Sequence, residues 1–380
     1  MKIQEQVPPV NIYALFRHLA SDQQNQNNHG DGNLDSVQGV FAKDIYGINF
    51  RWRSLRTLYS LFFLVLGFIF LCTQINLTVL YKGTLWEVGG ILYFGLNLTG
   101  AIYFLIISRK WRSIMIRWKS KEDVFLRPPY RMYGRSLKFK IRLIGFSVII
   151  LAIIEESLHL ASTIKVHHKY INFCNVTGTF WELYYNREHT RVFKYVSYNV
   201  LTVLLVEFTH KVYLFIWSFM DLFITLISIG LLTRFEQFYQ RIEHLKGKSK
   251  PEVFWAEVRG DYTKISSLVT YLDEILSPMI LITCASDVFF ITFQLYMTVR
   301  MKTTSITKIY YRFSLIFLIF RALLMLLISS HVYVASRKPL KVLRAVPMSS
   351  WSTSMAGTLI TYELVMLSEE KPLENSNICG

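Results

Sequence analysis

Aromatic, acidic and amide side chains recur inside long apolar stretches of this sequence. Trp217 and Asp221 are four residues apart, so a helix places the indole and the carboxylate on one face. A carboxylate accepts hydrogen bonds from two hydroxyl groups, while an aromatic ring covers the apolar C–H face of a pyranose or furanose ring. The Trp217 and Asp221 pair therefore suits a sugar ligand.

Other ionisable residues lie in the same apolar stretches, where charge is costly and side chains face a cavity or the interior of a helical bundle. Glu155 and His159 share one helix face, as a polar pocket requires; alternatively, together with Glu156, they pair with each other as structural contacts. The predicted ligand-binding set is Tyr93, Glu155, His159, Glu207, Trp217, Asp221, Asp287 and Gln294. In the sequence, Asn97 lies close to Tyr93, and His210 lies close to Glu207. One sequence does not show which helices touch, so this grouping is a hypothesis.

Motifs for enzymatic chemistry are absent from the sequence. It contains no glycine-rich phosphate loop, no HExxH, no nucleophile elbow and no ligand cluster with metal spacing. We therefore predict no catalytic residue, no metal and no cofactor. His167 and His168 are expected to lie solvated in a loop. A membrane-embedded hydrolase is disfavoured, and a secondary transporter is the stronger alternative, although the two related halves that such a fold should show are not evident.

The four cysteines, at positions 72, 174, 284 and 379, are too few and too scattered for a disulfide framework. A bridge between Cys174 and Cys379 is conceivable, but unpaired thiols are favoured. The four residues therefore receive no chemical role.

The composition of the chain predicts an integral membrane protein. Of its 380 residues, 52% are hydrophobic and 15% aromatic, and the mean hydropathy is +0.31. The net charge of +16 comes from basic residues between apolar runs, which favours anionic lipid over nucleic acid as the partner. Residues 1–40 lack the apolar core of a cleavable signal peptide, and the Gln/Asn-rich Ser21–Asp35 is expected to be disordered.

Apolar runs predict an all-α, polytopic transmembrane bundle of seven spans. Six are long enough to cross the hydrocarbon layer, and the seventh is short. The spans are Leu55–Leu77, Leu85–Ile107, Leu143–Ala161, Tyr198–Leu232, Leu276–Val299, Tyr310–Val334 and Met355–Leu367. The predicted organisation is a cytosolic tail at 1–54, spans one to four at 55–232, an anchor segment at 233–275, spans five and six at 276–335, a cytosolic loop at 336–354, and a shortened last span with its tail at 355–380.

Basic residues set the orientation, because loops rich in Lys and Arg stay in the cytosol. The loop at 108–142 carries twelve Lys and Arg residues, whereas the loop before it carries only Lys82. The N-terminus is therefore predicted to lie inside, opposite to a G-protein-coupled receptor. Asn175, in Asn175-Val176-Thr177, then lies in an extracellular loop and is a candidate glycosylation site.

A heptad-like seam runs through the anchor segment, with apolar residues at alternating spacings of four and three. Its members are Phe254, Val258, Tyr262, Ile265, Val269, Leu272 and Leu276. This spacing predicts a cytosolic helix that runs into span five and packs against helices of partner subunits. An amphipathic helix lying on the membrane surface is the alternative.

Three stretches resemble insect gustatory receptors of the sugar-sensing clade, and the similarity extends from Ala42 to Leu367. They are 50–57 (FRWRSLRT), 217–224 (WSFMDLFI) and 361–363 (TYE). The resemblance implies a ligand-gated, non-selective cation channel in the plasma membrane of chemosensory neurons, a tetramer of this chain or of related receptors. It also implies a sugar pocket in the outer half of each bundle and a pore lined by the last span, at Thr358, Thr361, Tyr362 and Glu363.

The sequence departs from the family pattern in two places. Ser21–Asp35 looks unrelated, and the chain passes almost directly from Ser350 to Met355, so that roughly thirty residues before the last span are missing. The remaining apolar residues, about 14, reach only about 21 Å as a helix. A non-conducting splice or gene-model variant of the receptor is therefore an open alternative.

Overall fold

The computed structural model describes residues 54–80, 85–130, 134–174, 177–244, 250–300 and 305–344, together with 356, 357 and 360. These residues form α-helices with a few turns beside them, and no strand occurs among them. The helices are α1 (Leu55–Leu80), α2 (Leu85–Glu122), α3 (Gly134–Cys174), α4 (Phe180–Glu188), α5 (Thr190–Phe193), α6 (Val200–Glu243), α7 (Glu252–Arg300) and α8 (Ser305–Arg344). A 3-10 turn at Asp123–Leu126 follows α2.

The six longer predicted spans all fall on helices. Five helices, α1, α2, α6, α7 and α8, are long and apolar enough to cross a membrane. The third predicted span, Leu143–Ala161, lies within α3, which is 41 residues long and is not one of those five. This helix carries Glu155, Glu156 and His159 near its middle, so its apolar run is interrupted.

Most of the helices continue well beyond their apolar cores. Helix α2 runs on from Ile107 to Glu122, and the predicted anchor segment is the end of α6 together with the start of α7. Helix α7 is unbroken for 49 residues and passes through Pro278. Hydropathy reveals only the part of a helix that lies in lipid, whereas the backbone hydrogen bonds continue where the helix packs against protein.

Helix α6 occupies the centre of the bundle. In its apolar window 61% of residues are buried, against 22–33% in the other four candidate spans. It packs against α8, α7, α2 and α3, while α1 packs on α2. The side chains of α6 are therefore the ones most able to line an interior site.

Most of the heptad-like seam of α7 is buried inside its own chain, and that α7 also packs against partner subunits stays a prediction. Val258, Tyr262 and Ile265 join a core with Phe125 and Tyr130, and Leu272 and Leu276 join another with α2 and α6. The spacing identified a helix–helix interface correctly. It could not tell whether the partner helix belonged to the same chain.

Several predictions fall outside the described residues. They concern Ser21–Asp35, the glycosylation site Asn175, Cys379, the pore residues Thr358, Thr361, Tyr362 and Glu363, and most of the last span. Cys72, Cys174 and Cys284 are free.

Candidate functional site

Aromatic rings from three helices meet in the half of the bundle that the basic loops predict to face outward (the outer half). Trp217 of α6 lies with its ring centroid 4.9 Å from that of Phe290 of α7, and Tyr93 of α2 contacts both, at 6.1 and 6.2 Å. His210, two turns before Trp217 on α6, stacks on Tyr93 at 5.6 Å. We call these four residues the aromatic cluster. The structure thus brings the predicted residues Tyr93 and Trp217 together and adds Phe290.

A chain of polar contacts connects α3, α8 and α7 in the same half of the bundle. The Ser314 hydroxyl donates to the Glu155 carboxylate, and the Gln294 amide donates to Ser314 Oγ at 3.0 Å. His159, one turn further along α3, places its ring 5.1 Å from that of Tyr310. Glu155 and His159 therefore each contact α8, and the sequence alone did not indicate Ser314 or Tyr310 as their partners.

Several buried polar atoms of this region have no hydrogen-bond partner among the described residues. Tyr93 Oη, Trp217 Nε1 and Gln294 Oε1 are buried, and none has a hydrogen-bond partner among the described residues. The Asn97 amide donates to the Tyr93 carbonyl at 2.8 Å, but its oxygen is likewise unpartnered within that part of the chain. An unsatisfied buried polar group costs on the order of 1–3 kcal/mol, which a ligand that donates or accepts hydrogen bonds recovers.

Charged residues form ion pairs at the outer end of the site. The Lys211 ammonium contacts the Glu156 carboxylate and lies 3.7 Å from Glu207 Oε2. His189, which follows α4, places its Nε2 2.8 Å from Glu207 Oε1 and so ties the outer loop to α6. Glu207 is therefore held by two partners, and His189 could not be identified from sequence because it lies outside every apolar run.

Helix α4 covers the outer end of α3. His167 is buried against Phe180 and Tyr184, with ring centroids at 5.1 and 5.4 Å. The expectation of a solvated His167–His168 loop is wrong for His167, because α3 continues to Cys174 and α4 packs on it; His168 is exposed. Burial raises the pKa of Tyr184 to about 12, so its hydroxyl, 3.0 Å from Thr163 Oγ1, stays protonated at physiological pH.

Asp221 lies one turn deeper than Trp217 and is paired with an arginine. Arg321 Nε of α8 lies 2.8 Å from Asp221 Oδ2, and its Nη1 donates to Ser218 Oγ at 2.6 Å. The guanidinium also lies over the Trp217 ring, 4.9 Å from the centroid. Sequence reasoning missed Arg321, although an arginine in the middle of the sixth apolar run was a visible signal. Asp221 thus holds Arg321 against the indole of Trp217.

The comparisons with known proteins agree with this architecture. A family model described as the trehalose receptor matches residues 34–354. The chain belongs to this family. It is 30% identical to the gustatory receptor for sugar taste 64b of Drosophila melanogaster, over 83% of this chain and 78% of that protein. It is 27% identical to the gustatory receptor for sugar taste 61a (87% and 83% covered) and 25% identical to gustatory receptor 5a for trehalose (88% and 81%), both also from D. melanogaster.

A solved structure has the same fold. The insect olfactory receptor OR5 from Machilis hrabei superimposes with a TM-score of 0.56 at 13% identity, covering 84% of this chain and 81% of the receptor. Its complex with eugenol gives the same TM-score at 14% identity, with 82% and 80% covered. The chain is accordingly an all-helical, multi-pass membrane protein of a receptor family, not an enzyme.

One alignment also bears on the predicted missing segment. The match to the 61a receptor extends over 363 aligned positions but takes up only 87% of the 380 residues of this chain, or about 331. About 32 aligned positions, 363 less 331, therefore fall opposite gaps in this chain. This sum over the whole alignment is close to the roughly thirty residues predicted to be missing before residue 355, whereas the match to the 64b receptor, 318 positions over 83% of the chain or about 315 residues, leaves only about three. The missing segment stays a prediction.

Proposed function

We propose that this chain is a subunit of a non-selective cation channel that is opened by a sugar, in the plasma membrane of chemosensory neurons. Membership of the trehalose receptor family and similarity to receptors named for sugar taste support the ligand class. The observation that carries the proposal is the aromatic cluster with its unpartnered polar atoms, Tyr93 Oη and Trp217 Nε1, beside Gln294 Oε1.

In this proposal the sugar ring lies against the face of Trp217, with Tyr93 and Phe290 completing an apolar wall for its C–H groups. The sugar hydroxyls bind the Glu155 carboxylate together with Tyr93 Oη, Trp217 Nε1 and Gln294 Oε1. These last three atoms have no other hydrogen-bond partner among the described residues. His159 and Glu207 lie at the outer entrance. Asp221 acts through Arg321, which holds the indole in place.

The pore and the assembly are further parts of the proposal. Thr358, Thr361, Tyr362 and Glu363 are proposed to line the pore of a tetramer, formed by this chain or together with related receptors, through which cations pass. The start of this segment lies against α7, because a Cβ built on Gly357 would be 2.7 Å from Arg259 Nη1. Movement of α7 is therefore the route by which the sugar site would act on the pore.

Replacing the indole tests the sugar site. Trp217→Ala should shift the sugar concentration for half-maximal binding to purified protein by about tenfold or more, since one ring contact contributes on the order of 0.5–1.5 kcal/mol and the indole makes several. Phe215→Ala on the exposed face of the same helix is the matched control and should leave binding unchanged. An unaltered affinity in Trp217→Ala protein that remains folded would remove the aromatic cluster from the sugar site.

The alignment gap favours one second candidate, a non-conducting form of the receptor. Sugar-evoked current should be recorded from cells that express the chain as given, and from cells that express it with the corresponding segment of the 61a receptor inserted after Ser350. Current from the extended chain alone would identify the present chain as a non-conducting form. Current from neither chain, with both at the cell surface, would contradict the channel proposal.

A further inference from the structure

Directly below the aromatic cluster, three charged side chains of the described residues lie buried near one another on α6, α7 and α8, two carboxylates and one guanidinium. Asp221 and Arg321 form the ion pair described above, and Asp287 of α7 is the third charged residue. The three side chains are at most 4% exposed. With both aspartates ionised, the group has one negative charge without compensation, in a place where charge is expensive.

Asp287 is the carboxylate of this group that has no ion-pair partner among the described residues, whereas Asp221 has Arg321. Both oxygens of the Asp287 carboxylate are buried and have no hydrogen-bond partner among the residues that the structure describes. Arg321 places its Nε beside Asp221 and donates from its Nη1 to Ser218; its Nη2 has no partner in that part of the chain, but one guanidinium cannot neutralise two carboxylates. A buried carboxylate in this situation needs a further group with positive charge or a donor hydrogen.

Two hydroxyl groups of α7 lie within one turn of Asp287 and are equally unsatisfied. Thr283 lies one turn before Asp287, and Ser286 immediately precedes it; both are 1% exposed, and neither Oγ has a partner in the described part of the chain. Other hydroxyls of this helix donate back to its own carbonyls, as do Thr263, Ser267, Thr270, Thr292 and Thr298. Thr283 and Ser286 do not, so their oxygens are left available as acceptors.

Carboxylate and hydroxyl oxygens are the ligands of hard cations. Among the described residues, no group of three or more His, Cys, Asp or Glu side chains is placed to hold a metal ion, which argues against a transition metal. A single positive charge is what the two aspartates and one arginine lack. We propose that Asp287, Thr283 and Ser286 bind a sodium ion between α6, α7 and α8. This site is independent of the sugar and of the proposed channel activity.

The full-length protein in lipid nanodiscs, without sugar, provides the test. Its unfolding temperature should be higher in sodium chloride than in N-methyl-D-glucamine chloride at equal ionic strength, and should rise with sodium concentration, because an ion that binds only the folded state stabilises it. Potassium chloride, with its larger cation, should give a smaller rise. Direct binding of radioactive sodium, competed by unlabelled sodium, should show about one site per chain.

Asp287→Asn should abolish the sodium-dependent rise and the bound sodium. In N-methyl-D-glucamine chloride this variant should be at least as stable as the wild type, since it removes an uncompensated charge. Glu274→Gln, an exposed acid-to-amide change on the same helix, is the matched control and should keep the full rise. Should Asp287→Asn fail to fold, Thr283→Val with Ser286→Ala supplies a milder variant, which should reduce sodium binding at least tenfold.

Three outcomes would overturn the proposal. One is an unfolding temperature that is equal in the three salts. Another is a sodium effect of the same size in Asp287→Asn as in the wild type. The third is an unfolding temperature that follows pH but not sodium, which would identify a proton as the group that compensates Asp287. Because sugar is absent from every sample, none of these outcomes bears on the proposed sugar response.

Discussion

The end of the bundle that is predicted to be cytosolic (the cytosolic end) and the middle of the bundle bury the same kinds of charged side chains, but among the described residues only the cytosolic end pairs them all with one another. There, Arg234 Nε donates to Glu122 Oε1 at 2.8 Å and its Nη1 to Gln237 Oε1 at 2.6 Å. Nearby, Asp261 accepts from Tyr130 at 2.8 Å and from Arg241 at 2.9 Å. Each buried charge in these two clusters has an opposite charge beside it, within one chain.

The middle of the bundle differs in the buried side chains that have no polar partner. Asp287, Thr283 and the aromatic cluster above them contain buried polar atoms without a partner in the described part of the chain. Burial alone therefore does not distinguish a structural residue from a binding residue. The distinction lies in whether the hydrogen bonds close within the protein, and three substitutions at the cytosolic end should test how much stability its closed contacts contribute.

The largest effect is expected at the cytosolic end. Arg234→Met leaves Glu122 buried and uncompensated, and should reduce the free energy of unfolding by about 3–5 kcal/mol. The measurement is unfolding of the purified protein in nanodiscs. Adding Glu122→Gln to this variant should restore most of the lost free energy of unfolding, because it removes the uncompensated charge of Glu122. A loss below about 1 kcal/mol in the single variant would mean that the Arg234–Glu122 pair does not stabilise the cytosolic end.

A smaller effect is expected for Tyr130→Phe, which removes one hydrogen bond to a carboxylate, worth about 1.5–3 kcal/mol. Burial, followed by the Asp261 charge, raises the pKa of Tyr130 well above its ordinary value, so the hydroxyl stays protonated in the folded protein. The stability that it contributes is present below the ordinary tyrosine pKa of about 10 and is lost as the pH rises toward the folded value. The difference between wild type and Tyr130→Phe should therefore narrow above about pH 10.

The smallest effect is expected for an exposed pair in the same loop. Arg127 and Asp123 are 2.6 Å apart, but their side chains are 71% and 45% exposed. Arg127→Gln should change the free energy of unfolding by less than about 1 kcal/mol, since solvent screens such a pair. A loss as large as that of Tyr130→Phe would show that the loop depends on surface charge and not on the buried contacts of Tyr130.

Much of this architecture could be predicted from the order of apolar runs and basic loops. Long apolar segments must become helices in lipid, and six of the predicted spans fall on helices of the structure. The predicted residues Tyr93 and Trp217 meet because both lie on helix faces that point into the bundle. Phe290, which contacts both, and Ser314, which contacts Glu155, carry no signal of their own, since a phenylalanine or a serine in a span is ordinary.

Pairing between distant positions could not be predicted, and it decides the roles of several residues. Asp221 was predicted to bind a sugar, but Arg321, one hundred residues further along the chain, takes up one of its oxygens. His167 was assigned to a solvated loop because α3 was predicted to end where its apolar run ends. In both cases the deciding fact is which helices touch, and spacing along a single helix does not contain it.

The continuity of α7 has a mechanical consequence. At 1.5 Å per residue its 49 residues form a rod about 73 Å long, with Pro278 near the middle. The outer arm carries Phe290 and Gln294, and the inner arm carries Val258, which is embedded among the cytosolic helices. A rod held at its centre behaves as a lever, so a sideways displacement of one arm appears at the other with opposite sense. The two arms of α7 would therefore move together.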